Sequence, residues 1–271
     1  MPRSLSKNSI GSEGAAALAP GIATSTSVTS VNLLSNMLED ESATMLLKIK
    51  AEKPMLRTLC GLTFEENEID LRYKGLVPAD AMILAPEIAS IASLTSLSVA
   101  SNHITGKAAQ ELAATVLAKT TLEHFSGIPL TELRADRLTK LDLSRKGLGV
   151  PEAIVLARLM GSVSGSLTVC NLQFNPLGAE GWKAIFTALR DSKVSKISTW
   201  DLDGERGIKE NIKSLSAYIS VSTSLTTVCT PAHKPALIEP SPARRNCLPS
   251  PCNPPRAFLP IFAARFESER T

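Results

Sequence analysis

The chain has 271 residues, 44% of them apolar but only 4% aromatic, a composition that excludes a disordered chain and suits many small, similar layers better than one bulky core. Of its 29 basic and 26 acidic side chains, six and three lie in residues 231–271, leaving 23 of each in residues 1–230, so the net charge of +3 belongs to the last stretch. A neutral body lacks the counterion-release contribution that dominates nucleic-acid affinity, so no nucleic-acid partner is expected. No apolar run approaches the roughly 20 residues needed to span a bilayer, so no membrane partner is expected either. Met1-Pro-Arg-Ser-Leu-Ser-Lys places no hydrophobic segment after its charges, and no secretory leader is expected. Asn-x-Ser/Thr does not occur, and the five cysteines (Cys60, Cys170, Cys229, Cys247, Cys252) are odd in number and scattered, which favours a reducing, cytoplasmic setting.

Along the chain one pattern recurs. A remnant, Asn8-Ser-Ile-Gly, precedes a helix-forming stretch through Leu18. Val28-Thr-Ser-Val-Asn-Leu-Leu-Ser-Asn36-Met-Leu then reads L-x-x-L-x-L-x-x-N-x-L, predicting a short strand, a turn at the Asn and a helix through Leu46. Leu56-Arg-Thr-Leu-Cys-Gly-Leu breaks the period and reads as a strand without a helix, running by a short loop into the copy at Glu66, whose helix passes Leu84. The clearest copy starts at Leu94, turns at Asn102 and continues through Leu112. Leu122-Glu-His-Phe-Ser-Gly-Ile repeats the break, so residues 56–121 look like a duplicate of residues 122–193. Copies follow at Leu138, Leu167 and, more weakly, Val194, with Leu156, Ile185 and Ile212 in their helices; a last remnant starts at Leu225. The spacing is 28 residues from Glu66 to Leu94, 29 from Leu138 to Leu167 and 27 from Leu167 to Val194.

The residue ten places after each Asn position is aliphatic from Leu18 to Ile212, so this column is expected to be buried throughout. Within each strand alternate residues face opposite sides: Leu94, Leu97 and Val99 inward, Ser98 and Ala100 outward. The Asn side chain is placed to bond the backbone of its own turn and of the neighbouring repeat. Lys74 and Lys146 stand at two Asn positions, followed by Gly75 and Gly147, and there the ladder is expected to be interrupted.

An L-x-x-L-x-L-x-x-N-x-L strand followed by helices such as Gly178-Ala-Glu-Gly181-Trp-Lys-Ala-Ile185, at a period near 28, resembles the ribonuclease-inhibitor-like leucine-rich repeats. The likeness covers about residues 3–230. It implies an α/β leucine-rich-repeat horseshoe solenoid, with parallel strands on the concave face and helices on the convex face. Residues 1–230 would form the solenoid, with an incomplete first repeat. Nine of the 17 prolines fall between residues 231 and 260, so residues 231–271 are expected to be a mostly disordered tail, with residues 231–255 lacking regular structure. The ragged ends suggest a piece of a longer array.

Signs of chemistry are weak. Gly106-Lys107 reads as a helix start and lacks the rest of a phosphate-binding loop. Cys229, His233, Cys247 and Cys252 fit no standard zinc spacing, and Cys170 sits at an inward position as core. His103 and His124 have no partner acid or base at meaningful spacing, and Asp70, Asp142 and Asp201 read as a solvated strand face. No catalytic residue, cofactor, metal or small-molecule substrate is expected.

Solenoids of this class bind through the outward strand residues. The candidates are Arg72 and Tyr73 in one copy; Asp142 and Arg145 in another; Asn171, Gln173 and Phe174 in the next; and Trp200 and Asp201 in the last. Arg145, Phe174 and Trp200 are expected side by side across three strands about 5 Å apart, an anchor for a partner protein. Trp200 has a second reading, as a cap tucked under the C-terminal tail. The resemblance admits two roles: an interaction module, as in the repeats of intracellular nucleotide-binding, leucine-rich-repeat receptors, or a GTPase activator of the Ran GTPase-activator class. Such activators usually carry a strongly acidic tail, whereas this tail is basic and Pro-rich.

Overall fold

A computed structural model describes residues 4–163, 165–202, 205–229 and 236–237. Eight helices follow in chain order among them: α1 (Gly11–Thr24), α2 (Asp40–Glu52), α3 (Pro78–Ser90), α4 (Gly106–Ala118), α5 (Leu130–Arg134), α6 (Val150–Ser162), α7 (Gly178–Asp191) and α8 (Ile212–Val221). Short strands alternate with them. β1 (Glu68–Asp70), β2 (Ser96–Ser98), β3 (His124–Phe125) and β4 (Ile128–Pro129) form one sheet in that order. β5 (Lys140–Asp142), β6 (Val169–Asn171), β7 (Thr199–Asp201), β8 (Thr227–Cys229) and β9 (Ala236–Leu237) form a second. Pairing is parallel except for β3 with β4 and β8 with β9. Helices pack in sequence as well: α1 on α2, α2 on α3, α3 on α4, α4 on α6, α6 on α7, α7 on α8.

Local sequence explains the elements. Pro78 and Pro151 occupy first-turn positions where a missing N–H costs nothing. Asp80 and Glu152 then reach back to accept the N–H groups of Val77 and Gly149, each at 2.9 Å. Leu46, Leu84, Leu112, Leu156 and Ile185 are fully buried between sheet and helices, as expected of the column. Its two ends differ: Leu18 and Ile212 are only half-buried. At the C-terminal end the cause is register. Thr199 pairs with Val169 and Thr227, and Trp200 pairs with Val228, so this copy begins at buried Ile197 rather than at Val194, which is 39% exposed. Leu215, three residues beyond Ile212, takes the buried place.

The Asn ladder is present. Asn36, Asn102 and Asn175 each donate to carbonyls of their own turn and to one in the preceding repeat (Leu5, Leu71 and Leu143). Each carbonyl oxygen in turn accepts two N–H groups from that preceding repeat. Lys74 and Lys146 therefore receive the ladder from the next repeat without extending it to the previous one.

The two breaks in the period are built alike up to a point. Leu56 and Leu59 enter the core with no helix after them, and the buried carboxylate of α3's Glu87 compensates. It accepts the Leu59 N–H and the Thr58 hydroxyl, each at 2.7 Å, and pairs with Lys50 at 2.5 Å. In residues 122–137 the expectation of a bare loop is wrong. Phe125 and Ile128 pair in a β3–β4 hairpin turned by Gly127 at φ 83°, and α5 follows. Since α5 is only five residues long, α4 still packs directly on α6. The turn at Ser101 consequently donates to Gly147 O at 2.7 Å, across the short layer.

Two cations finish frayed helix ends. The Arg134 guanidinium donates to the carbonyls of Val116 and Leu117 in the last turn of α4 and of Lys119 and Leu122 beyond it. Lys53 Nζ does the same for Ile22 and Ala23 in the last turn of α1 and for Ser25 beyond it. Ala236–Leu237 lie inside the stretch expected to lack regular structure, yet pair antiparallel with β8. The rest of residues 231–271 lies outside the described residues.

Candidate functional site

The strand register sets the outward column. Asp70 pairs with Ser98, Asp142 with Asn171, and Asp201 with Cys229. All three aspartates are exposed, as expected of a solvated strand face. Asp70 accepts the Arg72 guanidinium at 2.7 Å and the Arg72 N–H at 3.0 Å, and these bonds hold its carboxyl down at about 2. Asp142 accepts the Ser144 N–H at 2.9 Å, which lowers its pKa.

In six copies the chain turns through one residue in the left-handed region, one place before the Asn position. Lys7 (φ 61°), Ser35 (60°), Tyr73 (56°), Ser101 (58°), Arg145 (56°) and Phe174 (60°) all occupy it. A small or polar residue tolerates this conformation more easily than an aromatic one. Tyr73 is nevertheless 76% exposed and Phe174 55% exposed, and the Arg145 guanidinium lies 4.6 Å from the centre of the Phe174 ring. The Tyr73 N–H donates to Ala100 O at 3.3 Å and the Arg145 N–H to Gln173 O at 2.9 Å. Together with the Ser101–Gly147 bond, these place Tyr73, Ser101, Arg145 and Phe174 in one continuous row. The Phe174 N–H donates to Glu205 Oε1 at 2.6 Å. Glu205 stands in the Asn position of the copy beginning at Ile197, and burial raises its pKa.

Of the sequence-derived candidates, the structure brings Arg145, Gln173 and Phe174 together, sets Asp142 beside Asn171, and pairs Arg72 with Asp70. Tyr73 stands in the same row as Arg145, with the Ser101 turn and the short β3–β4 layer between them. Asp201 is exposed on its strand. Trp200 is the correction: it is 1% exposed and points into the core, in the place that Leu97, Leu141 and Cys170 fill elsewhere. Its ring meets Trp182 edge-on at 6.0 Å, Trp182 stacks on Phe186 at 5.3 Å, and Phe186 stacks on Tyr218 at 6.4 Å. It is not an exposed anchor, and three residues of register separate the two placements; the tail of the second reading lies, but for residues 236–237, outside the described residues.

A second ladder escaped the sequence reading. The hydroxyls of Thr95, Thr168, Ser198 and Thr226 donate to the carbonyls of Asn67, Thr139, Thr168 and Ser198 in the preceding strand. The signal was a Thr or Ser after the first aliphatic residue of these four copies. Cys170 is buried as expected, and burial followed by the Asp142 charge pushes its thiol up to about 12. Burial first, and Glu87 second, also raise the Cys60 thiol. Gly106 opens α4. Among the described residues no group of three His, Cys, Asp or Glu side chains is placed to hold a metal ion, and no helix is long and apolar enough to cross a membrane. His233, Cys247 and Cys252 lie outside the described residues.

Residues 4–19 and 91–113 match the family model described as Leucine Rich repeat. The two stretches fall on the first repeat and on the clearest one, and they support a leucine-rich-repeat family for the chain. No curated protein matches it.

Proposed function

We propose that this protein is a non-catalytic interaction module, a ribonuclease-inhibitor-like leucine-rich-repeat horseshoe working in the cytoplasm. Its strands would line the concave face and its helices the convex face. Leucine-rich-repeat domains generally mediate protein–protein interaction, and a partner protein would be met by Arg72, Tyr73, Asp142, Arg145, Gln173, Phe174 and Asp201. The observation that carries this reading is the exposure of Tyr73, and of Phe174 beside Arg145, at positions where other copies place serine or lysine. Exposed Tyr, Phe and Arg are residue types enriched at protein interfaces. The perturbed carboxylates support a binding role over a catalytic one: Asp80, Glu152 and Glu205 each accept a backbone N–H and so brace the fold. The test is a comparison of partners recovered by the wild-type chain, by the double variant Arg145→Glu/Phe174→Ser, and by the helix-face control Lys107→Ser/Glu111→Ser. The reading expects specific partners to be lost with the first variant only. Equal recovery by all three would overturn it.

A further inference from the structure

Resting on that reading, we propose that the turn row from Tyr73 to Phe174 takes an extended, acidic segment of the partner protein, its two apolar side chains at least about four residues apart. The spacing follows from the strands. Tyr73, Ser101, Arg145 and Phe174 occupy the same turn position in the copies at Glu66, Leu94, Leu138 and Leu167; the β3–β4 layer lies between the second and third, where the Ser101 N–H reaches Gly147 O, so the two rings stand at least three strand spacings apart, about 15 Å or more, and an extended chain covers that at roughly 3.3 Å per residue. The sign follows from the charges around the row. Arg72, Lys74, Arg145 and Lys146 stand against Asp70 and Asp142, with Glu205 taken up at the end of the row by the Phe174 N–H, and among the described residues only Arg72 of the four cations forms a salt bridge. Lys74 and Lys146 are exposed and directly follow the left-handed residues Tyr73 and Arg145. The Arg145 guanidinium lies over Phe174, with donors left for a carboxylate.

The row also has an economic oddity that a purely structural role does not explain. The same turn is closed by Ser35 and Ser101 with the same φ, so neither the Tyr73 nor the Phe174 side chain is needed to make it. Both spend bulky apolar surface on solvent. Single-stranded nucleic acid, which also favours aromatics beside cations, fits less well. Asp70 and Asp142 lie just inside the row and would repel a continuous phosphate backbone, whereas the carboxylates of a peptide can be spaced to meet the cations alone.

The experiment selects a random dodecapeptide display library on the full chain and measures enriched peptides by fluorescence polarisation, with an oligouridine of similar length as a second probe. The expected peptides carry Asp or Glu between two apolar residues. They should weaken about tenfold with Phe174→Ser or with the pair Lys74→Glu/Lys146→Glu, and further as salt is raised. Thermal melting of each variant must match the wild type, because none of these side chains is in the core. Enriched peptides without acidic residues would overturn the proposal, as would peptides indifferent to both variants or oligouridine binding tighter than any peptide. If binders ignore the row but lose affinity with Asp142→Lys or Asp201→Lys, the strand-face reading stands and this inference falls. If no peptide binds either surface, both fall.

Discussion

Replacing Asn175 with Ala tests the ladder where it also supports the exposed row. The Asn175 amide donates to Leu143 O at 2.8 Å and Leu172 O at 2.7 Å, and its oxygen accepts the N–H groups of Lys146 and Leu148, each at 3.0 Å. Alanine leaves all four backbone partners unpaired in a site with little access to water. At about 1 kcal/mol net per bond the loss is about 4 kcal/mol, and no less than about 2 kcal/mol at the weak end of the usual range. Asn36→Ala should cost less, because one of its two acceptor contacts, from the Ile10 N–H, is long at 3.5 Å. Urea denaturation followed by far-ultraviolet circular dichroism measures both. Because repeat arrays unfold with nearest-neighbour cooperativity, the Asn175 variant should lose its C-terminal layers first, which hydrogen exchange on α7 and α8 would show. A loss below about 1 kcal/mol at Asn175, or a larger loss at Asn36, would refute the reasoning.

Four other outcomes follow from the packing and burial. Trp200→Ala should destabilise by about 3–5 kcal/mol, because it empties a place in the aromatic cluster, and any binding loss should track unfolding; a well-folded Trp200→Ala variant in thermal melts would contradict the burial. Leu112→Ala should cost on the order of 2–5 kcal/mol in the same assay, and a cost under about 1 kcal/mol would deny it a place in the core. Burial raises the Glu152 pKa above its ordinary 4.5, so the folded state holds the proton more tightly than the unfolded chain. That share of stability is greatest below 4.5 and declines as pH rises through the folded value; Glu152→Gln should flatten this part of the profile, and an unchanged profile would count against it. Cys170, with its thiol at about 12, should resist iodoacetamide near pH 8 in the folded protein while half-buried Cys229 reacts faster, as site-resolved mass spectrometry would report; prompt labelling of Cys170 would refute this.

Much of this fold is legible in the sequence where a copy carries its Asn. Asn36, Asn102 and Asn175 fix the register of everything around them, and the fully buried residues of the helix column, from Leu46 to Ile185, follow from counting ten places onward. The copy near residue 197 lacks that anchor. Glu205 fills the Asn place, Trp200 fills a leucine place, and Val194 and Ile197 offer two aliphatic starts three residues apart. A three-residue slip exchanges an inward for an outward position, which is how a core tryptophan comes to look like an anchor. The short layers were legible as breaks but not in content, since the β3–β4 hairpin and α5 rest on tertiary pairing that no local pattern announces. Within the candidate surface, Arg145 beside Phe174 was legible from equal offsets in adjacent copies. The left-handed turn that turns both side chains outward was not, because Ser, Lys, Tyr, Arg and Phe share no propensity for it.

The most direct test of the binding claim places a photo-crosslinking amino acid at 142, 173 or 174 on the strand-and-turn face, and at 111 on exposed α4 as control, each in the full chain with its isolated partner. The account predicts partner crosslinks from 142, 173 and 174 and none above background from 111. Crosslinks concentrated at 111, with 173 and 174 silent, would contradict it.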